Sequence, residues 1–292
     1  MVKLLPFKPL RIPLITSGVA NRIIQAIREG KARIRVSLDL GRSWSWVEVR
    51  GRTLLLPSGF AVSLDVLKEV ARDDKGIYGV FEGRLSRVAF SESGKFYKLV
   101  KVRENTAPTL EISGIHMHRI EGVTPLEDTR EKLSLARVKR GHVVLDVCTG
   151  LGYTAIEALR RGAKKVVTIE RDPMVLGIAR VNPWSVELAS KRISIVLGDA
   201  SEVITELCDE FFDRVVHDPP RMRLAGELYG LRFYRELYRV LKPGGVMFHY
   251  TGQPGIKRGL YIIQGVSRRL REAGFSVKVV KGLGVVAFKS SF

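Results

Sequence analysis

At 292 residues and 45% hydrophobic content, the chain has material for one large domain or two ordinary ones. It has no apolar run of about 18 residues, which excludes a transmembrane helix, and two cysteines, Cys148 and Cys208, make neither a disulfide framework nor a zinc site on their own. The 49 lysines and arginines against 30 acids leave a net charge of +19, which points to an acidic polymer as partner, most simply nucleic acid.

A thermophile surface is the alternative source of that charge, but it would raise glutamate in step. The excess is +10 over residues 1–120 and +9 over the rest, so no single basic tail carries it. The N-terminus lacks the long apolar core and cleavage site of a signal peptide, and a reducing, cytoplasmic setting is expected.

Residues 1–16 carry three prolines (Pro6, Pro9, Pro13) and read as an extended arm. Ser17 is placed to cap a helix to about Gly30, with Val19, Ile23, Ile24 and Ile27 on one face. Ile34, Val36 and Leu38 alternate as in a half-buried strand; Trp44 to Val49 and Thr53 to Leu56 follow as strands. Ser63 caps a short helix over Leu64 to Ala71. Strands are expected over Gly76 to Phe81, Leu85 to Phe90, Lys95 to Val102, Leu110 to Ile112 and Ile115 to Ile120. The sum is a β-rich α+β domain over 1–121.

Two features of this region invite a functional reading. Trp44, Trp46, Phe96 and Tyr97 lie among Arg42, Arg50, Lys95, Lys98 and Lys101, as in a surface that stacks bases and meets phosphates. Core packing of these aromatics is the plainer expectation. His116 and His118 share a face if the strand continues, but no third ligand or cysteine pair accompanies them; a structural role is expected, and no metal.

Thr124-Pro125-Leu126-Glu127 has a capping hydroxyl, proline at the first helical position and glutamate at the third, so a helix should run to about Lys139. A second domain over 122–292 follows. Val143 to Val147 reads as a strand covered on both faces, running into Cys148-Thr149-Gly150-Leu151-Gly152 and a helix from Tyr153. Strands recur at Val166 to Ile169, Ile193 to Leu197, Asp213 to His217 and Val246 to Tyr250. Glu170, Asp199 and Asp218 close the second, third and fourth. After a helix over about 260–273, Phe275 to Lys281 and Val285 to Lys289 are joined by Gly282-Leu283-Gly284 alone and must be antiparallel.

Asp146 with Thr149-Gly150-Leu151-Gly152, Glu170, Gly198-Asp199-Ala200, Asp218-Pro219-Pro220 and the Leu-Lys-Pro-Gly-Gly turn resemble a class I S-adenosylmethionine-dependent methyltransferase over about residues 125–292. Predicted archaeal methyltransferases of undefined substrate are similar in this respect. The resemblance implies a Rossmann-like seven-stranded α/β sheet and S-adenosylmethionine as cofactor. It implies that Asp146 orients the methionine end, that Gly150 and Gly152 let the loop pack beneath it, and that Glu170 holds both ribose hydroxyls. Asp199 and Ala200 would meet the adenine; Thr149, Tyr153, Thr154, Arg171 and Asp218 complete the cofactor-binding set. A Rossmann dehydrogenase is the rival for the glycine loop, and Asp-Pro-Pro with the final hairpin speaks against it.

The methyl acceptor should lie at Asp218-Pro219-Pro220-Arg221. Enzymes that methylate exocyclic amines carry an acid or amide, two prolines and an aromatic here, and position the amine by hydrogen bonds. Arg221 departs from that pattern, though a guanidinium also stacks on a base. Asp-Pro-Pro-Arg is familiar from carbon-5 uridine methylation, which needs a cysteine beyond the fifth strand, where this chain has His249-Tyr250-Thr251-Gly252-Gln253-Pro254. Cys148 lies in the cofactor loop and Cys208 on an expected helix.

His217 is a candidate base, Tyr250 a candidate stacking ring, and Tyr229, Phe233 and Tyr234 are expected in the core. Asn182-Pro183-Trp184 reads as a helix end with a packed tryptophan. The expected function is N-methylation of a base in structured RNA, tRNA or rRNA. The alternatives are a small-molecule, protein or DNA acceptor, a nucleic-acid-binding protein with an idle fold, and an aminopropyl transferase.

Overall fold

The structure is a computed structural model and describes residues 3–252 and 256–291, the side chains of 256–260 aside. Gln253 and Pro254 of the loop beyond the fifth strand therefore lie outside the described residues. In chain order, β1 (Leu4–Leu5), β2 (Leu14–Thr16), α1 (Ser17–Arg28), β3 (Arg33–Val36), β4 (Ser45–Arg50), β5 (Thr53–Leu55), β6 (Ala61–Ser63), α2 (Leu64–Arg72) and β7 (Ile77–Phe81) open the chain. Then come β8 (Arg84–Arg87), β9 (Ala89–Glu92), β10 (Lys95–Val100), β11 (Thr109–Ile112), β12 (Ile115–His116) and α3 (Pro125–Leu135). Next are β13 (Val143–Val147), α4 (Tyr153–Arg160), β14 (Lys165–Glu170), α5 (Pro173–Val181), β15 (Ile193–Leu197), α6 (Ala200–Val203) and β16 (Phe212–His217). The chain closes with α7 (Leu231–Val240), β17 (Leu241–Tyr250), α8 (Ile256–Glu272), β18 (Ser276–Val280) and β19 (Gly284–Phe288).

The chain divides into two units. One comprises the segment ending at Phe7, Thr129–Leu176 and Glu187–Phe292; the other comprises Lys8–Asp128 and Gly177–Val186. The first unit holds one sheet in the order β1-β15-β14-β13-β16-β17-β19-β18. Strands β13 to β17 run parallel, and β18 and β19 are antiparallel, as the three-residue connection requires. The seven expected strands are all present. The eighth corrects the arm reading: Leu4 and Leu5 pair with Val196 and Ile195 of β15, so the start of the chain supplies an edge strand. Leu145, Val147, Phe212, Val215, Leu237 and Leu270 sit in the core of this unit.

The second unit holds three small sheets, β12-β11-β10-β9, β2-β7-β8 and β3-β4-β5-β6. Helices α1 and α2 add Val19, Ile23 and Leu67 to a core shared with Val36, Val47 and Leu54. Ser17 is not the cap of α1: Thr16 Oγ1 accepts from the Val19 N–H, while the buried Ser17 hydroxyl accepts from Lys101. The expected Leu85–Phe90 strand is two strands in two sheets, separated by buried Val88. The strand at Ile115 stops at His116, short of Ile120.

The Thr124 capping box forms as expected. Thr124 N–H donates to Glu127 Oε2 at 2.6 Å, and Glu127 N–H donates to Thr124 Oγ1 at 3.3 Å. Helix α3 ends at Leu135 rather than Lys139, because Arg137 takes a left-handed backbone with φ of 55°. Cys208 lies in an exposed loop, not on a helix. Asn182 Oδ1 accepts from the Trp184 N–H, and the indole donates to Leu40 O, so that tryptophan is packed as expected.

Candidate functional site

Parallel pairing in register puts the carboxyl ends of β13, β14 and β16 side by side: Val147 lies opposite Ile169 and His217. Each strand therefore delivers its acid to one edge, the position where open α/β sheets bind ligands. Asp146 is fully buried, and its Oδ2 accepts from Thr168 Oγ1 at 2.8 Å. Thr168 is itself bonded to Thr149 Oγ1 at 2.6 Å. Asp146 Oδ1 is buried with no hydrogen-bond partner. Burial pushes this carboxyl well above its ordinary range, and the charges of Asp218 and Glu170 add to the rise.

The loop from Cys148 to Gly152 turns through three left-handed residues, with φ of 73° at Cys148, 54° at Gly150 and 79° at Gly152. A side chain at Gly152 would collide with Leu188, within 2.6 Å; one at Gly150 would point into open space. Glu170 fastens this loop: Oε2 accepts from the Gly150 N–H and Oε1 from the Asp172 N–H, both at 3.0 Å. Burial raises its carboxyl and those two bonds oppose the rise. Tyr153 is buried and Thr154 half-buried in the first turn of α4.

At the end of β15, Asp199 caps α6, accepting from the Ser201 N–H and hydroxyl at 2.8 and 2.7 Å. Burial works against the ionised form, but the Ser201 bonds and Arg171, 3.5 Å away, hold Asp199 below its ordinary value. Arg171 lies mostly in solvent between Asp199 and Glu227, and Ala200 is buried at the start of α6.

At the end of β16, Asp218-Pro219-Pro220-Arg221 forms an irregular loop that bends at Pro220. Tyr229 donates its hydroxyl hydrogen to the Pro220 carbonyl at 2.9 Å, which fixes the loop, and Arg221 is exposed. Asp218 Oδ2 accepts from Lys132 Nζ at 2.6 Å. That ammonium is only 2% exposed and also lies 4.2 Å from the centre of the Tyr250 ring. Lys132 is the residue that sequence reading missed. It lies 86 positions from Asp218 on α3, and only a buried polar position on that helix could have marked it.

His217 is not placed to act as a base on a ligand. It is fully buried, and its Nε2–H donates to the Leu228 carbonyl at 2.9 Å. The His249 ring lies 4.2 Å away, tilted by 36°; its Nδ1–H donates to the His217 carbonyl and its Nε2 accepts from Tyr234. Burial lowers His217 to about 4 and holds His249 well below its ordinary value, so both rings are neutral. Tyr229, Phe233 and Tyr234 pack around them in the core, as expected. Burial raises the Cys148 thiol well above its ordinary value, with Glu170 and Asp218 adding to the effect, so it is a poor nucleophile.

In the other unit, His118 Nδ1 bonds Thr109 Oγ1 at 3.0 Å, and His116 lies 3.7 Å from Glu111. Among the described residues, no group of three His, Cys, Asp or Glu is placed to hold a metal. The core reading of the aromatics is corrected: Trp44, Trp46 and Phe96 are exposed, and of the four only Tyr97 is buried, stacked on Phe90.

A family model described as conserved hypothetical protein 95 matches residues 125–248. Uncharacterized protein MJ1233 of Methanocaldococcus jannaschii is 47% identical over 287 residues, covering 96% of this chain and 96% of its own. The chain belongs to that protein's family. Polyamine aminopropyltransferase of Mycobacterium tuberculosis is 34% identical over 119 residues, 38% of this chain and 23% of its own. Ribosomal RNA large subunit methyltransferase I of Photobacterium profundum is 25% identical over 188 residues, 62% of this chain and 47% of its own. The chain thus spans less than half the length of these two relatives. Among solved structures, spermidine synthase in complex with the transition state analogue AdoDATO aligns with a TM-score of 0.55 at 20% identity, covering 70% of this chain and 73% of that one.

The fold is the class I S-adenosylmethionine-dependent methyltransferase fold, which spermidine synthase shares. The strand-end residues fit an adenosyl cofactor of that kind. Gly150 faces open space, Glu170 sits beside it with a fixed carboxylate, and Asp146 keeps an oxygen without a protein partner.

The Lys132–Asp218 pair should be strongly coupled. Lys132→Met is expected to cost about 3 kcal/mol in urea unfolding, and adding Asp218→Asn should recover part of it, because removing one member of a buried pair is worse than removing both. A double variant no more stable than the single one would refute the coupling.

The His217 shift predicts a pH dependence. Between about 4 and 6.5 the unfolded chain binds a proton that the folded chain refuses, so stability is untouched above 6.5 and falls as pH drops towards 4. At pH 5 the loss from this residue is about 2 kcal/mol. Comparing unfolding at pH 7 and 5, His217→Gln should lose that much less than the parent; an equal loss counts against the assignment.

Proposed function

We propose that the protein transfers a methyl group from S-adenosylmethionine to a nitrogen on a base of structured RNA, tRNA or rRNA. Residues 122–292 carry the transfer, and residues 1–121 recognise the substrate. The carrying observation is the Asp218-Pro219-Pro220 loop, tied by Tyr229 and set against a buried lysine at the edge where the strand-end acids converge.

Bound at this edge, S-adenosylmethionine supplies a methyl group on a positively charged sulfur. Glu170 would accept hydrogen bonds from the ribose hydroxyls, with Thr149, Gly150, Gly152, Tyr153 and Thr154 framing the loop beneath. Asp199, Ala200 and Arg171 would border the adenine, and Asp146 would face the methionine end.

Asp218 and the Pro219 carbonyl receive the two hydrogens of the acceptor amine and aim its lone pair at the methyl carbon. The cofactor would supply the methyl group and retain the electron pair of the broken bond, and Asp218 would pass the surplus amine proton to water. Lys132 fixes the carboxylate of Asp218, which is the directing group. Tyr250 and Arg221 offer flat surfaces for the base.

The net charge of +19 supports a polyanionic acceptor. So does the cationic company of Asp218: a polycationic amine would approach both Lys132 and Arg221. A relative that by name methylates ribosomal RNA points the same way. The relative named as a polyamine aminopropyltransferase favours a second reading, transfer of an aminopropyl group from the decarboxylated cofactor to an amine.

Labelled methyl transfer to RNA from cells lacking the protein, followed by nucleoside analysis, separates the two. Uptake should exceed that of wild-type RNA, and Asp218→Ala should retain cofactor binding while losing transfer by at least a hundredfold. Equal uptake by both RNAs, or aminopropyl transfer to putrescine, would overturn the proposal.

Glu170→Gln tests the cofactor separately. It removes the charge from hydrogen bonds worth about 1.5–3 kcal/mol each, so calorimetry should show S-adenosylmethionine binding weakened roughly tenfold or more. Unchanged affinity would remove Glu170 from the site.

A further inference from the structure

Strand β3 pairs with β4 so that Arg35 lies opposite Trp46 and Arg33 opposite Glu48. Alternation sends Val36, Val47 and Val49 into the core and leaves Arg33, Arg35 and Trp46 outside. Trp46 is 59% exposed and Trp44 is 40% exposed, while Val36, Val47 and Leu54 fill the core on the other face of these strands. Each indole is held by a cation: the Arg33 guanidinium lies 4.9 Å from the Trp46 ring centre, and that of Arg22 lies 5.2 Å from Trp44. Arg22 is anchored in turn, donating to the Arg35 carbonyl at 3.2 Å.

A shallow concavity of about 470 Å³ opens here, lined by Arg22, Lys31, Arg33, Arg35 and Trp46. The acids nearby are Glu29, paired with Lys31 at 2.5 Å, and Glu48, paired with Arg50 at 2.8 Å. The surface stays positive.

We infer that this face binds an unpaired stretch of RNA, with a base stacked on Trp46 and phosphates held by Arg22, Arg33 and Arg35. An indole offers its flat face to any base, and guanidinium groups grip phosphates. An apolar peptide would not call for four cations around the ring, and a duplex would hide its base faces. Unpaired, splayed bases are characteristic of folded RNA, which selects RNA over duplex DNA. The inference rests on the RNA reading above for its partner but uses a different surface, wholly within the second unit.

The test is fluorescence anisotropy of a labelled single-stranded oligoribonucleotide, without cofactor, across a series of salt concentrations. Trp46→Ala should weaken binding about tenfold, the size of one stacked base, and Trp46→Phe should restore most of it. Arg33→Ala with Arg35→Ala should flatten the plot of log affinity against log salt by about 1.4, the share of two phosphate contacts on a single strand. These side chains are exposed, and unchanged unfolding midpoints would show that the variants fold.

Parental affinity in Trp46→Ala, or equal binding of duplex DNA, would overturn the inference. If Trp46→Ala binds and methylates RNA as the parent does, the surface fails and the acceptor reading stands. If binding depends on Trp46 but no methyl is transferred to RNA, the surface stands and the acceptor reading fails.

Discussion

Three carboxylates meet at one edge of one sheet, and the organisation of that edge follows from keeping them there. Parallel pairing of β13 with β14 and β16 leaves Asp146, Glu170 and Asp218 no other place to go. Like charges gathered in a buried setting disfavour their own ionised forms. Each acid has its own compensation. Asp146 has the Thr168 hydroxyl, Glu170 has two backbone N–H groups, and Asp218 has the ammonium of Lys132.

These compensations also fix geometry. Because Glu170 bonds the Gly150 N–H, the strained loop from Cys148 to Gly152 is held to the neighbouring strand. Because Tyr229 holds the Pro220 carbonyl, the loop after β16 is held from the core side. The two neutral histidines beneath it are held by hydrogen bonds to the Leu228 carbonyl and the Tyr234 hydroxyl and carry no charge, so they leave the balance of the edge unchanged. The edge is therefore prearranged, which is what positioning chemistry needs.

The other unit follows a different constraint. Its sheets are small, and alternation along β3 and β4 gives each strand one buried face and one open one. Aliphatic side chains fill the buried face, which sends the large aromatics outward into the company of arginines. Their exposure is a consequence of register: a slip of one residue would have exchanged Trp46 with Val47.

The sequence by itself determined the local units. The Thr124–Glu127 box, the glycine turn and the acids at strand ends follow from residue types over a few positions, and the structure places each where short-range chemistry requires. The break at Val88 depends on neighbours in other strands, since its N–H donates to the Ile77 carbonyl and its own carbonyl accepts from the Leu99 N–H. Only the tertiary structure decided the pairings between such segments. It added β1 to the sheet edge, brought Lys132 to Asp218 across 86 positions, and turned Trp44 and Trp46 outward. A periodic pattern states that a position is buried or exposed in its own element, whereas a buried charge is stable only beside its partner, and packing supplies that partner.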